Sequence, residues 1–514
     1  MLGKLVRALL RGHDSRATSA DFPEAGLTTG KRGQAAGADV AATPEACAEG
    51  LRRADALAQA GKLDAALEAC LGAAGALVDL WLIEEAVAAY GRALKLAPRN
   101  SAIFSAVLFH LHYRAAVDAP QLFDLHRRFG ALAAAPSREV FPQAPAAARR
   151  LRIGYLSPNF SRHSVGYFIE PVIRCHERER YEIFCYYSHR LADDATARIR
   201  SLADSWREVA DIGDEAVARM IREDRIDILV DLAGHTKGNR LGVLARRAAP
   251  VQMTWLGYPD TTGLATVDYR ITDLAVDPAP QADARHTERL LRMKECFLCY
   301  QPPPDAPPVA PRELPAAVVF SSFNNIAKLN DEILRAWGKI LAAVPGSRLL
   351  LKASSFRFPD AVDRLLESCE RCGIEPARVD LRSWVADRRQ HLELYGAVDI
   401  ALDTFPYNGT TTTCESLWMG VPVITLAGDV HMSRVGATLL RSAGLADLVA
   451  HDFADYVNTA IALAGDAGRR RRLRAELRAR MLASPLLDHA GFTRGLEAHY
   501  RHAWGIWCGG RRVD

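Results

Sequence analysis

No Asp-x-Asp triplet occurs anywhere in the chain. The sequence therefore carries no sign of a metal-held diphosphate. Any diphosphate leaving group must be stabilised by protein groups alone. Long apolar runs are missing too, and none approaches the roughly 18 residues that cross a membrane. The N-terminal MLGKLVRALLRGH has too short an apolar run for a leader and no small-residue cleavage site. No membrane contact and a cytoplasmic location are the expectations. An excess of one charge is also lacking. The 65 Lys and Arg against 61 Asp and Glu leave +4, which makes no case for nucleic acid but suits an anionic small ligand. The ten cysteines form no dense framework. Cys296/Cys299 and Cys369/Cys372 have CxxC spacing, and two such pairs can hold zinc. Phe297 and Leu298 make the first pair read as a buried strand, and the second falls on a helix. Buried free thiols, not a metal site, are expected.

With 49% hydrophobic and 25% charged residues the chain has the composition of a soluble globular protein. Its 514 residues exceed one hydrophobic core, so about three domains are expected. The stretch that organises them is DTFPYNGTTTTCESLWMG, Asp403 to Gly420. It follows the apolar run Ala397 to Leu402. Pro406, Asn408 and Gly409 reverse the chain. Thr412 and Glu415 have capping-box spacing, which predicts a helix start near Thr413. Gly420 and Pro422 end that helix, and Val421 to Leu426 is the next strand. The first N–H groups of a helix lack partners within it, and with the dipole they form an anion site. An ordinary strand–turn–helix joint has the same outline. Four consecutive threonines behind Asn-Gly favour phosphate binding.

Residues 1–45 lack an apolar period and read as a flexible tail. From 46 to 132 the pattern is helical. Ala86, Tyr90, Ala93 and Pro98 have the spacing of a second tetratricopeptide helix, with Asn100 and Ser101 capping the next one. Ala66, Cys70 and Ala73 lie 20 residues earlier, not the roughly 34 of a regular array. This reads as a short, degenerate helical module, either packing filler or a peptide-binding unit. A linker, 133–150, follows. Strands at Arg152–Leu156, Tyr181–Tyr187, Ile226–Leu232 and Val251–Leu256 alternate with helical patterns across 151–300, which predicts a parallel sheet wound with helices. A proline-rich linker, 301–315, leads to a second such set over 316–514. The predicted fold is α/β: two doubly wound domains facing a cleft, behind a short all-α module. In such a pair, ligands bind at the carboxyl ends of the strands.

Those ends carry Asn159–His163, Gly234–Gly238, Gly257–Gly263, Phe323–Lys328, Trp384–His391 and the threonine loop. Lys328 and the N–H groups after Gly409 supply fixed positive potential for a departing diphosphate. A hydroxyl acceptor needs a base within reach, for which His163 is the candidate. A histidine that only positions substrate reads the same way in sequence. Seven arginines between Arg469 and Arg480 alternate with Leu473 and Leu477, which predicts a solvated helix face. Phe492, Leu496, Tyr500 and Trp504 predict a last helix packed across both domains.

HSVGYFIEP, IDILVDLAGHT, APVQMTWLGYPDTTGL, VDYRITD, FSSFNNIAKL and DTFPYNGTTTTCESLWMGVPVITLAG resemble the catalytic region of the protein O-GlcNAc transferase and Spindly family. The resemblance runs from Leu151 to Trp504. It implies two Rossmann-like domains in the GT-B arrangement. It also implies an inverting, metal-independent glycosyltransferase that moves a sugar from a nucleotide donor to Ser or Thr of proteins, with no cofactor. A tetratricopeptide array selects acceptors in the family; here it is abbreviated. By resemblance, His163 matches the histidine near the reacting centre and Lys328 the lysine on the donor phosphates. Asn325 stands where the O-GlcNAc transferases have glutamine. Val385, Ala386 and His391 match nucleobase contacts, and Arg388 replaces a lysine. Thr411 and Thr412 match the phosphate-binding threonines, and Glu415 stands where an aspartate holds the ribose. Thr410 replaces a histidine of the animal enzymes. TTTTCES is the Spindly-branch form, and plant Spindly proteins use GDP-fucose. UDP-GlcNAc is the preferred donor and GDP-fucose the alternative. A non-catalytic helical adaptor and a small-molecule enzyme such as an epimerase are the rivals from other classes.

Overall fold

The computed structural model describes residues 43–116, 118–134, 141–310, 317–385 and 387–509. Apart from its last three residues, the tail 1–45 lies outside them, as does Ala386. The helical region comprises α1 (Pro44–Gln59), α2 (Leu63–Asp79), α3 (Ile83–Leu96), α4 (Ser101–Leu111) and α5 (Ala119–Ala133). Thr43, Asn100 and Asp118 cap α1, α4 and α5 by accepting an N–H from the first turn. Ala66, Cys70 and Ala73 on α2 and Ala86 and Ala93 on α3 are buried, so small residues let these helices pack closely.

The first sheet holds seven parallel strands: β1 (Leu151–Ser157), β2 (Tyr181–Tyr187), β3 (Ser205–Glu208), β4 (Ile228–Asp231), β5 (Val251–Thr254), β6 (Tyr269–Asp273) and β7 (Arg289–Met293). Their order is β3-β2-β1-β4-β5-β6-β7. The second sheet holds β8 (Val319–Ser322), β9 (Arg348–Lys352), β10 (Val379–Arg382), β11 (Ile400–Leu402), β12 (Val423–Leu426) and β13 (Val449–Ala450) in the order β10-β9-β8-β11-β12-β13. All its pairs are parallel as well. Strand order reverses between β1 and β4 and between β8 and β11. Each reversal opens a crevice at the carboxyl ends of the strands. The two wound halves behind a helical region are the GT-B arrangement.

Several expectations are corrected by packing. The segment Cys296–Cys299 is not a strand but irregular chain after β7, buried all the same. Burial raises the thiols of Cys296 and Cys299. The arginine-rich helix Ala467–Leu482 is not simply a solvated face. Arg470, Arg474 and Arg478 turn inward and donate to backbone carbonyls of Leu463, Val398 and Trp418, while Arg471, Arg472 and Arg480 stay exposed. Carbonyls at helix and loop ends need donors once buried, and a long guanidinium reaches them. The last helix, His489–Cys508, packs mainly on the first half, against the helix Ser164–Cys175 and strands β5 and β7. Trp255 stacks on its Phe492.

The helical region is no separate bead. Leu108, Leu125 and Phe129 share one apolar cluster with Leu241, Leu244 and Val267 of the first half and with Ala327 of the second. At Gly130 in α5 an added Cβ would lie 1.8 Å from the Gly263 carbonyl oxygen, so only glycine permits this approach.

Candidate active site

The threonine loop is built around one buried carboxylate. Asp403, at the end of β11, accepts the Gly409 N–H at 2.7 Å and the Thr404 N–H at 2.9 Å on Oδ1. Its Oδ2 accepts from the Thr425 hydroxyl at 2.7 Å. Burial pushes this carboxyl up to about 6, against the pull of those hydrogen bonds and of the Lys328 charge. Asn408 ties the turn from the other side: its amide donates to the Thr404 carbonyl at 2.8 Å, and its Oδ1 accepts the Gly436 N–H. At Gly409 a Cβ would stand 2.5 Å from Thr412 Oγ1 and 2.9 Å from Asn324 Oδ1, so the loop closes only around glycine.

The helix begins at Thr411 and runs to Trp418, two residues before the predicted start. The predicted capping box does not form, because both of its side chains are engaged elsewhere. Thr412 donates to Asn324 Oδ1 at 3.0 Å. Glu415 accepts from, or pairs with, His391 Nε2 at 3.0 Å. Thr410 occupies the cap position without a side-chain capping bond.

Lys328 closes a short 3-10 turn, Ile326–Lys328, whose cap is Asn325. Asn325 Oδ1 accepts the Ala327 N–H, and the residue is exposed; buried Asn324, which sequence reading passed over, faces the threonine loop instead. The Lys328 ammonium donates to the Asn408 carbonyl at 2.8 Å and lies 4.1 Å above the Tyr407 ring. Burial lowers its pKa to about 8, with Asp403 opposing. Cation and helix start, 80 or more residues apart in sequence, thus meet on one loop.

The residues expected at a nucleobase meet the first half across the cleft. Val385 is half-buried, and Arg388 stacks on Tyr167 of the first half with its guanidinium carbon 3.8 Å from the ring centre. His391 stands edge-on to Tyr395 and near Phe323. Arg388 Nε and Nη2, His391 Nδ1 and Thr411 Oγ1 are buried without a hydrogen-bond partner among the described residues. Native interiors rarely leave such atoms unpaired, and these lie on the two segments that the His391–Glu415 contact joins.

His163 is exposed, at the head of the helix Ser164–Cys175, which also carries Tyr167. The cleft walls displace enough water to lower the imidazole's pKa. Its Nδ1 accepts the Val165 N–H at 3.2 Å. A neutral ring that accepts at Nδ1 carries its proton on Nε2 and is a donor there. In this arrangement His163 can orient a hydroxyl or phosphate oxygen. To take a proton at Nε2 it must first release Val165 and change tautomer.

Two other loops of the expected rim each send one residue to the helical region. His235 is fully buried between Ser105 Oγ and the Thr262 carbonyl, both at 2.9 Å. Asp260 pairs with His112 of the helical region at 3.2 Å. Both residues are engaged with the helical region.

The chain matches the sequence profile of Glycosyl transferase family 41 over residues 133–301 and 310–496. It is 43% identical over 441 residues to a protein from Oryza sativa subsp. japonica named probable UDP-N-acetylglucosamine–peptide N-acetylglucosaminyltransferase SPINDLY. That match covers 83% of this chain and 48% of the rice protein. An Arabidopsis thaliana protein of the same name is 46% identical over 370 residues, covering 70% of this chain and 40% of its own. The chain thus spans less than half the length of these curated relatives. Among solved structures, a mutant of the Thermobaculum terrenum O-GlcNAc transferase superposes with TM-score 0.83 at 38% identity, covering 87% of both chains.

Proposed function

Because the chain belongs to glycosyltransferase family 41, we propose that it is a protein O-glycosyltransferase, inverting and independent of metal, that moves a sugar from a nucleotide donor to Ser or Thr hydroxyls. One observation carries this reading: the Lys328 ammonium sits on the Asn408 carbonyl at 2.8 Å, beside the loop that opens the helix Thr411–Trp418. As the glycosidic bond breaks, negative charge grows on the diphosphate. A preformed cation and free helix N–H groups stabilise that charge without reorganising. The hydroxyls of Thr411 and Thr412 border the same place. The nucleoside is held by Val385, Arg388 and His391, with Glu415 reaching the ribose. Ala386, expected beside them, lies outside the described residues. His163 orients the acceptor hydroxyl from the opposite wall, as its hydrogen bond from Val165 favours.

UDP-GlcNAc is the preferred donor, in keeping with the names of the relatives. GDP-fucose is the second reading, and Thr410 at the helix cap is the residue that favours it. A polypeptide acceptor suits the exposed His163 wall. The test is calorimetry of the purified protein against UDP, GDP, UDP-GlcNAc and GDP-fucose, with transfer to protein measured for whichever donor binds. Binding of none of the four would end the reading. Donor binding without transfer or hydrolysis would favour the non-catalytic adaptor.

A further inference from the structure

The helical region touches the lysine loop at one point and the threonine loop at another. Trp81, between α2 and α3, donates its indole N–H to the carbonyl of Leu329, the residue after Lys328, at 3.0 Å. Trp81 has φ +60°, a left-handed conformation that a bulky residue holds only when its surroundings fix it. Tyr113, just past α4, stacks on Tyr407 with ring centres 5.5 Å apart and planes 19° from parallel. Tyr407 in turn presents its ring to the Lys328 ammonium at 4.1 Å. Three layers are therefore in contact: a helical-region ring, a threonine-loop ring and the cation.

We propose that Tyr407 is a positioning residue for Lys328, and that Tyr113 and Trp81 make the helical region part of the donor machinery. The inference rests on the reading of Lys328 as the phosphate cation. The ammonium has few polar anchors, the Asn408 carbonyl and the more distant Asp403 charge. An aromatic face attracts a cation without accepting a proton from it, so it holds the ammonium while leaving its N–H groups for phosphate. Tyr113 keeps that face from tilting away. Trp81 fixes the backbone on which the lysine is mounted. Burial and the opposing Asp403 charge set the charge state of Lys328, whose ammonium also faces the Asn408 carbonyl and the Tyr407 ring.

The experiment uses the full chain and measures hydrolysis of the donor with no acceptor present, so that acceptor selection plays no part. Tyr407→Leu should lower kcat about tenfold to thirtyfold, the scale of a desolvated cation–π contact, and Tyr407→Phe should recover most of it. The alkaline limb of the rate profile should move to lower pH in Tyr407→Leu, because losing the ring disfavours the charged amine. Tyr113→Leu and Trp81→Phe should lower kcat several-fold in the same sense, and they carry the test if Tyr407→Leu does not fold. In a Lys328→Ala background, Tyr407→Leu should add nothing further, whereas a merely structural residue would still add its cost. If Lys328→Ala hydrolyses donor at the wild-type rate, the phosphate reading itself falls. If Lys328→Ala is impaired while the aromatic variants keep wild-type kcat and pH profile, only the present inference is overturned.

Discussion

At the end of β11, Asp403, Asn408 and Gly409 are buried and share a net of hydrogen bonds that fixes every turn of the loop. At the end of β1, across the cleft, the loop holds Arg162, His163 and Ser164 in the open. Arg162 is tied to Asp193 and Asp194 behind, and the His163 ring accepts the Val165 N–H of its own helix. Both loops leave a switch point of a parallel sheet, yet one is prebuilt and the other is open. On the proposed reading the difference has a physical reason. A diphosphate has one shape and a large charge, so rigid dipoles stabilise it best. A polypeptide hydroxyl arrives in many contexts, and the wall that receives it must leave room.

The largest effect that could break this comparison belongs to Lys328. Lys328→Ala should lower turnover about 10² to 10³-fold, as for loss of one oxyanion donor, with a modest fall in nucleotide affinity. Wild-type turnover would remove the prebuilt loop from the chemistry. The open wall is probed next. His163→Ala should reduce kcat at least tenfold, while His163→Asn, which keeps a donor, should retain more of it. Equal losses in both, with the acidic limb of the profile abolished, would instead assign His163 the role of base.

Asp403 sharpens the electrostatic side of the contrast. Its carboxyl titrates at about 6 in the fold against 3.8 ordinarily, so the folded protein binds the extra proton. This group's stabilisation is complete below about pH 3.9 and is lost as pH rises through 6. The melting temperature of the wild type relative to Asp403→Asn should therefore rise as pH falls from 7 to 4. Donor affinity should weaken over the same range, because a protonated Asp403 holds the Gly409 N–H less well. A pH-independent difference would contradict the buried-carboxylate account. The smallest effect is expected at Thr410. Thr410→His should alter the ratio of UDP to GDP affinity a few-fold by calorimetry, and an unchanged ratio would clear this position of donor choice.

Much of the architecture was readable because period and punctuation are strong in the buried strands. Tyr181–Tyr187 was placed to the residue, and the predicted β1, β4, β5 and β12 differ only at their ends. The strand Ser205–Glu208 escaped notice because it is short, polar and half-exposed at a sheet edge. The second half of the site shows the same limit. Asp403, Lys328 and the threonines stand out as residue types. Tyr167, Asn324 and Tyr407 do not, since each acquires its role from a partner on another element. Deleting residues 1–132, a natural way to ask whether the helices matter, would also bare the apolar cluster shared by Leu108, Phe129, Leu244 and Ala327. Single substitutions are the cleaner probe.

By itself the sequence determined where the most apolar strands fall, that two wound halves follow a helical stretch, and which loop has the residues of an anion site. These depend on local period, turn chemistry and hydroxyl-rich spacing, all of which act within a few residues. Only the tertiary structure decided that Thr412 pairs with Asn324 and Glu415 with His391 instead of with each other. It alone seated Lys328 on Tyr407 and brought Tyr113 behind it. Such contacts join chain segments tens to hundreds of residues apart, and what selects among them is the shared burial of both partners, which no local pattern records.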